Sequence, residues 1–255
     1  MLIDTHSHIY LKEFDADRDL VIERALNNSI LKILLPNIDS HSVLEILRLS
    51  EKYRNICYPM IGLHPTSVKE NYEEELSFIN NWISKNKFIA IGEIGMDLYW
   101  DKTFVEEQKI AFNTQVQLSI KHNLPAVIHI RNAFAETFSV LESINKAKFS
   151  GVFHCFSGNL VDAQKAIEMG FLLGIGGVVT YKNASLQEIV KEIPLEKLVL
   201  ETDSPYLPPV PFRGKRNESG YLIFIAEKIA EIKNISLNKV GEITSENARE
   251  LFRLL

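Results

Sequence analysis

The stretch Ala126-Val127-Ile128-His129-Ile130 is short, rich in β-branched residues and apolar on both faces, apart from one histidine near its end. Runs of this kind are typical of parallel strands that are covered by helices on both sides. Seven further runs share this pattern, namely Leu2 to Asp4, Lys32 to Leu35, Ile56 to Leu63, Phe88 to Ile91, Gly151 to Cys155, Phe171 to Ile175 and Leu198 to Glu201. The sequence therefore predicts eight strands.

Most of these runs are followed by a segment with apolar residues at helical spacing, for example Val105 to Lys121 and Phe134 to Ile144. Alternating strands and helices imply a parallel sheet with right-handed crossovers. Eight such units of about 25–30 residues fit an α/β fold of the (β/α)8 TIM-barrel type. We expect a single domain over residues 1–255, with Ser236 to Leu255 forming one or two helices that pack back on the barrel.

A doubly wound open sheet is the alternative fold. Such a sheet usually carries a glycine-rich phosphate loop after an early strand. The similar glycines here, Gly174, Gly176 and Gly177, lie late in the chain, and Val179 breaks the required spacing. The barrel is therefore the preferred prediction.

Composition excludes several classes of protein. The chain has 28 Lys and Arg against 33 Asp and Glu, a net charge of −5, and 46% hydrophobic residues. This balance argues against disorder and against a broad basic surface that coats nucleic acid. It is compatible with a local basic pocket for one nucleic-acid end. Two distant cysteines exclude a disulfide framework, and no signal peptide or membrane-length apolar run is visible. We therefore expect a cytoplasmic protein that has no membrane partner.

Polar side chains cluster at the predicted strand ends. Five of the seven histidines fall there, and a (β/α)8 barrel builds its active site from these ends. Each residue alone also fits an ordinary role, as a hydrogen-bonded core histidine or a capping carboxylate. If six such side chains meet at one mouth of the barrel, their burial requires a compensating positive charge. Six ligands are also more than one tetrahedral metal ion uses. We therefore predict two divalent ions (Mg, Mn or Zn), with Glu93 bridging them; the ligands are His6, His8, Glu93, His129, His154 and Asp203.

The chain resembles the TatD-type metal-dependent deoxyribonucleases of the amidohydrolase superfamily. The motifs that carry the resemblance run in order from residue 4 to residue 217: Asp4-Thr5-His6-Ser7-His8, Gly62-Leu63-His64-Pro65, Gly92-Glu93-Ile94-Gly95-Met96-Asp97, Ile128-His129-Ile130-Arg131, His154-Cys155-Phe156-Ser157-Gly158, Glu201-Thr202-Asp203-Ser204-Pro205-Tyr206-Leu207 and Arg213-Gly214-Lys215-Arg216-Asn217. The resemblance implies a (β/α)8 barrel, divalent metals held by the same six residues, and hydrolysis of DNA from its 3′ end.

Two positions depart from the family pattern. Tyr10 stands where an aspartate is usual, and Glu218-Ser219-Gly220 replaces a stretch that usually contains a proline. Both departures lie outside the six expected ligands, so they bear on substrate preference and not on the metal site.

The expected chemistry gives further residues a role. We expect Asp203 to orient a metal-activated water and accept its proton, and Glu201 to hold a metal-ligating histidine. We expect His64 to contact the scissile phosphate or protonate the leaving group. The loop after the last strand is a common phosphate site in these barrels. The expected phosphate-binding residues are His64, Arg131, Arg213, Lys215 and Arg216.

Several functions remain open at this point. The preferred one is a 3′-to-5′ exodeoxyribonuclease that acts as a monomer on single-stranded or frayed DNA ends, without an obligate protein partner. A small-molecule amidohydrolase acting on an amide, a lactone or a phosphoester would use the same binuclear site without needing the Arg213-Gly214-Lys215-Arg216 cluster. A non-catalytic binding module predicts loss of ligands, whereas all six are present. An aminoacyl-tRNA hydrolase is not excluded.

Overall fold

The protein is described by a computed structural model that covers residues 1–144 and 149–254. In this part of the chain, parallel strands alternate with helices in the predicted order. The strands are β1 (Leu2–Asp4), β2 (Ile30–Leu35), β3 (Cys57–Pro59), β4 (Ile91–Asp97), β5 (Ala126–Arg131), β6 (Gly151–Phe153), β7 (Phe171–Ile175) and β8 (Leu198–Leu200). The helices are α1 (Arg18–Asn27), α2 (Val43–Lys52), α3 (Tyr72–Ile83), α4 (Val105–His122), α5 (Phe134–Glu142), α6 (Leu160–Glu168), α7 (Leu186–Glu192), α8 (Leu222–Lys233) and α9 (Leu237–Phe252).

Two narrow seams close the strands into a barrel. One sheet has the order β1-β2-β3 and the other the order β4-β5-β6-β7-β8, with every pair parallel. Single parallel bridges join the two sheets, between Ile61 and Ile91 on one side and between Ser7 and Ser204 on the other. The predicted (β/α)8 TIM-type barrel is therefore confirmed.

The third and fourth strands differ from their predicted bounds. The run from Ile56 to Leu63 was expected to be one strand, but β3 ends at Pro59, and the chain then changes partner from β2 to β4 through the single bridge between Ile61 and Ile91. The fourth strand was expected over Phe88 to Ile91, whereas β4 continues to Asp97. The glycines of this segment suggest a turn in the sequence, but Gly95 instead allows close packing, since a Cβ there would overlap the His129 carbonyl. Glu93 therefore lies inside β4 and not at its end.

The hydrophobic core has two parts. The larger one fills the space between the strands and the surrounding helices. The smaller one takes residues in or next to the strands, such as Ile3, Val127 and Val199, and packs them against Phe252 of α9. α9 thus covers this end of the barrel. The polar residues gather at the opposite end, where the carboxyl ends of the strands lie.

The last predicted segment is also helical. Ser236 caps α9 by accepting a hydrogen bond from the Lys239 backbone N–H, and the helix runs to Phe252. The predicted segment extended to Leu255, a residue that lies outside the described part. Among residues 1–144 and 149–254, no helix is both long enough and apolar enough to cross a membrane.

Candidate metal centre

The first two candidate ligands follow β1. His6 is fully buried, and its Nε2 atom lies 3.3 Å from Nε2 of His8. Asp4 lies behind them and accepts hydrogen bonds from the Thr202 backbone N–H at 2.9 Å and hydroxyl at 2.6 Å. Burial raises the pKa of this carboxyl to about 7. These contacts fix the start of the H-x-H segment against the end of β8.

Tyr10, the residue that departs from the family pattern, contacts one of these ligands. Its hydroxyl lies 2.8 Å from Nδ1 of His8, and its side chain is buried. A hydrogen bond at one ring nitrogen fixes which nitrogen is left to face the centre. Tyr10 therefore holds His8 with Nε2 directed at His6.

Glu93 lies between two groups of imidazoles. Its Oε2 atom is 3.2 Å from Nε2 of His6 and 3.6 Å from Nε2 of His8. Its Oε1 atom is 2.9 Å from Nδ1 of His129 and 2.9 Å from Nε2 of His154. Burial raises the pKa of this carboxyl, but the surrounding histidines outweigh burial and hold the pKa well below its ordinary value. One ionised carboxylate thus serves two histidine pairs with separate oxygens.

Asp203 completes the group around His6 and His8. Its Oδ1 atom lies 3.5 Å from Nε2 of His8 and 3.8 Å from Nε2 of His6. The residue has a left-handed backbone conformation, with φ of 54°, three residues after the end of β8. Such a conformation is sparsely populated outside glycine and is often found at functional sites. It brings the carboxylate over the cluster, where 13% of the side chain remains exposed.

Glu201 lies beside His154, as predicted for a positioning residue. Its Oε1 atom is 3.4 Å from Nδ1 of His154 and accepts a hydrogen bond from the Cys155 backbone N–H. Gly174 leaves space for this carboxylate, since a Cβ at that position would overlap it. Burial lowers the pKa of the His154 imidazole, but the charges of Glu93 and Glu201 outweigh burial and hold this pKa well above its ordinary value.

Asp97 positions the His129 ring, as Glu201 positions His154. Its Oδ2 atom is 3.0 Å from Nε2 of His129, so the ring is held between Asp97 and Glu93. Asp97 had no predicted role, although it is the last residue of the motif Gly92-Glu93-Ile94-Gly95-Met96-Asp97. The available signal was its distance of four residues from Glu93, which places both on one face of a strand.

His64 also reaches the cluster. Its Nε2 atom lies 3.2 Å from Oε1 of Glu93, and its Nδ1 atom accepts a hydrogen bond from the Thr66 backbone N–H at 3.1 Å. Burial lowers the pKa of His64 despite the nearby Glu93. The neutral ring therefore carries its proton on Nε2, the atom that faces the centre.

The donor atoms fit divalent cations. Nε2 of His6 faces Nε2 of His8, and Nε2 of His154 lies 3.4 Å from Nδ1 of His129, so the lone pairs of the deprotonated rings would converge on common points. Imidazole and carboxylate are the ligands of Zn²⁺ and related metals. Two groups have ligand atoms within 4.8 Å of one another; they are His6 with His8 and Asp203, and His6 with Glu93 and His154. The atoms of His64, Glu93 and His129 are equally close, but the Nε2 proton of His64 sets that ring to donate a hydrogen bond and not to bind a cation.

A cavity of about 690 Å³ opens above this cluster. Glu93, His154 and Asp203 form part of its floor, and Trp100 and Tyr206 are among its walls. Its size is in the range of small-molecule and cofactor sites, about 300–1,000 Å³. The ligand set therefore faces a space that a substrate can enter.

Known proteins of one family match this chain over almost its whole length. A sequence model of the family described as "TatD related DNase" matches residues 3–253. The chain belongs to the TatD family. It is 40% identical over 255 residues to the uncharacterized metal-dependent hydrolase YabD of Bacillus subtilis, covering all of both chains. It is 30% identical to the 3′-5′ ssDNA/RNA exonuclease TatD of Pectobacterium carotovorum, covering 99% of this chain and 100% of that one.

A solved structure shows the same architecture. The crystal structure of YjjV, a TatD homologue from Escherichia coli, superimposes with a TM-score of 0.93 at 27% identity, covering 100% of this chain and 98% of the other. The protein is thus a metal-dependent hydrolase of the TatD family, as the sequence resemblance implied.

The expected phosphate-binding arginines and lysine of this TatD hydrolase do not gather at one place. Four such residues were expected, namely Arg131, Arg213, Lys215 and Arg216. Within residues 1–144 and 149–254, Arg131 alone among them lines the cavity. Arg213 and Lys215 each lie over an aromatic ring away from the cavity lining. Arg216 forms two hydrogen bonds to Asp17, at 2.7 and 2.8 Å, and so ties the last loop to α1.

The Arg216 ion pair leads to a testable expectation. Arg216→Ala should lower the free energy of unfolding by about 1 kcal/mol, because it removes a bidentate and partly buried pair. The value of kcat/KM should not change. Urea unfolding and hydrolysis assays check both, with Arg54→Ala, the same change at a side chain that is 75% exposed, as the matched control that should alter neither. A raised KM in Arg216→Ala would instead place this guanidinium on the substrate.

Proposed function

We propose that this TatD-family hydrolase is a deoxyribonuclease that removes nucleotides from the 3′ end of single-stranded or frayed DNA, acting as a monomer. The observation that carries the proposal is the position of Glu93, whose two oxygens face two separate groups of imidazoles beneath an open cavity. A relative that is 30% identical over the whole chain carries the name of a 3′-5′ ssDNA/RNA exonuclease, which supports the same substrate class.

We infer two metal positions from the contacts of Glu93. His6, His8, Asp203 and Oε2 of Glu93 would hold one cation. Oε1 of Glu93 would hold the second one together with the two imidazoles described above, His129 and His154. Bound divalent ions supply an activated water and shield the phosphate oxygens in phosphodiester hydrolysis.

The protein side chains supply the remaining chemistry. The Asp203 carboxylate lines the cavity. Burial raises its pKa, but the nearby histidines outweigh burial and hold the pKa below the ordinary value, so the group is ionised. An ionised carboxylate at this position can orient a water and act as its proton acceptor. The Nε2–H group of His64 also faces the cavity and can donate to a phosphate oxygen or to the leaving oxygen. The Arg131 guanidinium at the cavity wall can bind a phosphate with two hydrogen bonds.

The second candidate function is a small-molecule amidohydrolase. One observation favours it, namely that Arg213, Lys215 and Arg216 lie away from the cavity lining, so little positive charge would guide a polyanion. A small amide, lactone or phosphoester needs only the floor of the cavity. The two functions share the metal centre and differ in the use of Arg131 and the cavity walls.

End-labelled DNA distinguishes these functions. Metal-reconstituted protein is incubated with single-stranded DNA labelled at the 3′ or the 5′ end, with Mg²⁺ or Mn²⁺ and with a chelator as control. We expect a labelled mononucleotide at once from the 3′-labelled strand, and a ladder of shortening products from the 5′-labelled strand. Intact DNA after incubation with protein shown to hold metal would exclude the deoxyribonuclease, and turnover of a lactone or phosphotriester by that sample would favour the amidohydrolase.

A further inference from the structure

Two exposed aromatic residues follow β4 at the edge of the cavity. Tyr99 is 51% exposed and Trp100 is 69% exposed, and their rings contact each other edge to face at 4.9 Å. Trp100 also lines the cavity above the metal centre. The indole ring is a large, rigid apolar surface, and its exposure at the cavity edge leaves one face open to a ligand. We call Tyr99 and Trp100 the aromatic platform.

A guanidinium lies against this platform. The Arg131 guanidinium carbon is 3.9 Å from the ring centroid of Tyr99 and 5.1 Å from that of Trp100. No carboxylate in the described part of the chain forms an ion pair with it, so its charge is left for an external anion. The cation–π contacts hold the side chain beside the exposed indole.

The platform is joined to the metal centre by one carboxylate. Oδ1 of Asp97 accepts hydrogen bonds from the backbone N–H groups of Tyr99 at 2.9 Å and of Trp100 at 3.3 Å. Oδ2 of the same residue lies 3.0 Å from Nε2 of His129. Asp97 therefore fixes the platform at a set distance from a candidate ligand.

We propose that Trp100 and Arg131 form a nucleotide subsite, in which the indole stacks on an unpaired base and the guanidinium binds an adjoining phosphate. This inference rests on the proposed function and extends it to the residues that select a single strand. An exposed indole accepts the face of any base, but a base within a duplex has both faces covered. The subsite therefore favours single-stranded or frayed ends over paired ones, without preference for base sequence.

Fluorescence can test the stacking directly. The sequence has two tryptophans, and Trp82 packs on Phe78 in α3, away from the residues that line the cavity. In a Trp82→Phe background the signal comes from Trp100 alone. The probe is a short single-stranded oligodeoxythymidylate with phosphorothioate linkages at its 3′ end, which slow cleavage. We expect strong quenching by this probe and little quenching by an oligomer of equal length that lacks its bases.

Binding of the labelled probe, followed by anisotropy, gives the second measurement. Trp100→Ala should weaken binding about tenfold, as the loss of one base–aromatic stack does, whereas Trp100→Phe should keep most of the affinity. The oligomer without bases should bind the wild type and Trp100→Ala equally. Because Trp100 is exposed, these variants should fold normally.

The outcomes separate this subsite from the proposed function. Equal affinities of Trp100→Ala and the wild type, together with unquenched Trp100, would overturn the subsite even if DNA is cleaved from its 3′ end. Absence of cleavage by metal-loaded wild type would overturn the proposed function. Quenching without cleavage would retain the stacking subsite in a DNA-binding protein that is no deoxyribonuclease.

Discussion

Glu93→Gln should lower kcat for hydrolysis by about a thousandfold and should strip metal from both halves of the centre. The reason is that each carboxylate oxygen faces a different pair of imidazoles, whereas an amide has only one oxygen and no charge. Steady-state kinetics and elemental analysis of metal content check the two parts. The matched control is Glu106→Gln, the same change at a side chain that is 76% exposed on α4.

The Glu93 prediction has a clear contrary result. If Glu93→Gln kept its full metal content and lost only activity, the carboxylate would act on the substrate and would not bridge the cations. If Glu93→Gln kept its activity, neither of the two proposed cation positions would require the Glu93 carboxylate. Far-ultraviolet circular dichroism of the variant shows that a loss does not come from unfolding.

Asp203→Asn should lower kcat by about 10²–10³-fold, while KM for DNA changes little. An amide can still face His8 and His6, but it cannot accept a proton from water. Asp203 lines the cavity and 13% of its side chain is exposed, against 3% for Glu93, so of the two carboxylate ligands it is the one placed to meet a water. Single-turnover rates and metal content should be measured together, with Asp19→Asn, the same change at a side chain that is 64% exposed on α1, as control.

A different outcome for Asp203→Asn would change its role. A loss of metal equal to that of Glu93→Gln would make Asp203 a ligand first and a proton acceptor second. An increase in KM with unchanged kcat would mean that the carboxylate contacts the bound substrate in the ground state.

Much of the candidate centre could be predicted because the fold brings strand ends together. His6, His8, His129 and His154 lie far apart in the sequence, yet each follows or ends a short apolar run. In a parallel barrel these positions share one rim, so the cluster follows from the strand pattern alone. The pairing of Glu201 with His154 also follows from its place at the end of the last run.

The other features of the site depend on the conformations of loops and on contacts between strands. The spacing of apolar residues in the sequence does not predict either of these. Arg216 was expected to bind phosphate because it follows β8 in a basic stretch, but the loop turns it towards Asp17. Asp97 was missed because its partner is one strand away. The left-handed backbone of Asp203 likewise has no signature in a single sequence, since such conformations are set by tertiary contacts.

The two seams of the barrel have a consequence for the lifetime of the protein. His6 and His8 flank Ser7 at one seam and follow the three-stranded sheet, while Asp203 and Glu93 belong to the five-stranded one. Cations bound between them would link the sheets where the backbone pairing is thinnest. Binding to the closed barrel alone adds about 2.7 kcal/mol of stability at a hundredfold excess over Kd. The supply of divalent ions would then govern how long the chain persists as well as how fast it reacts.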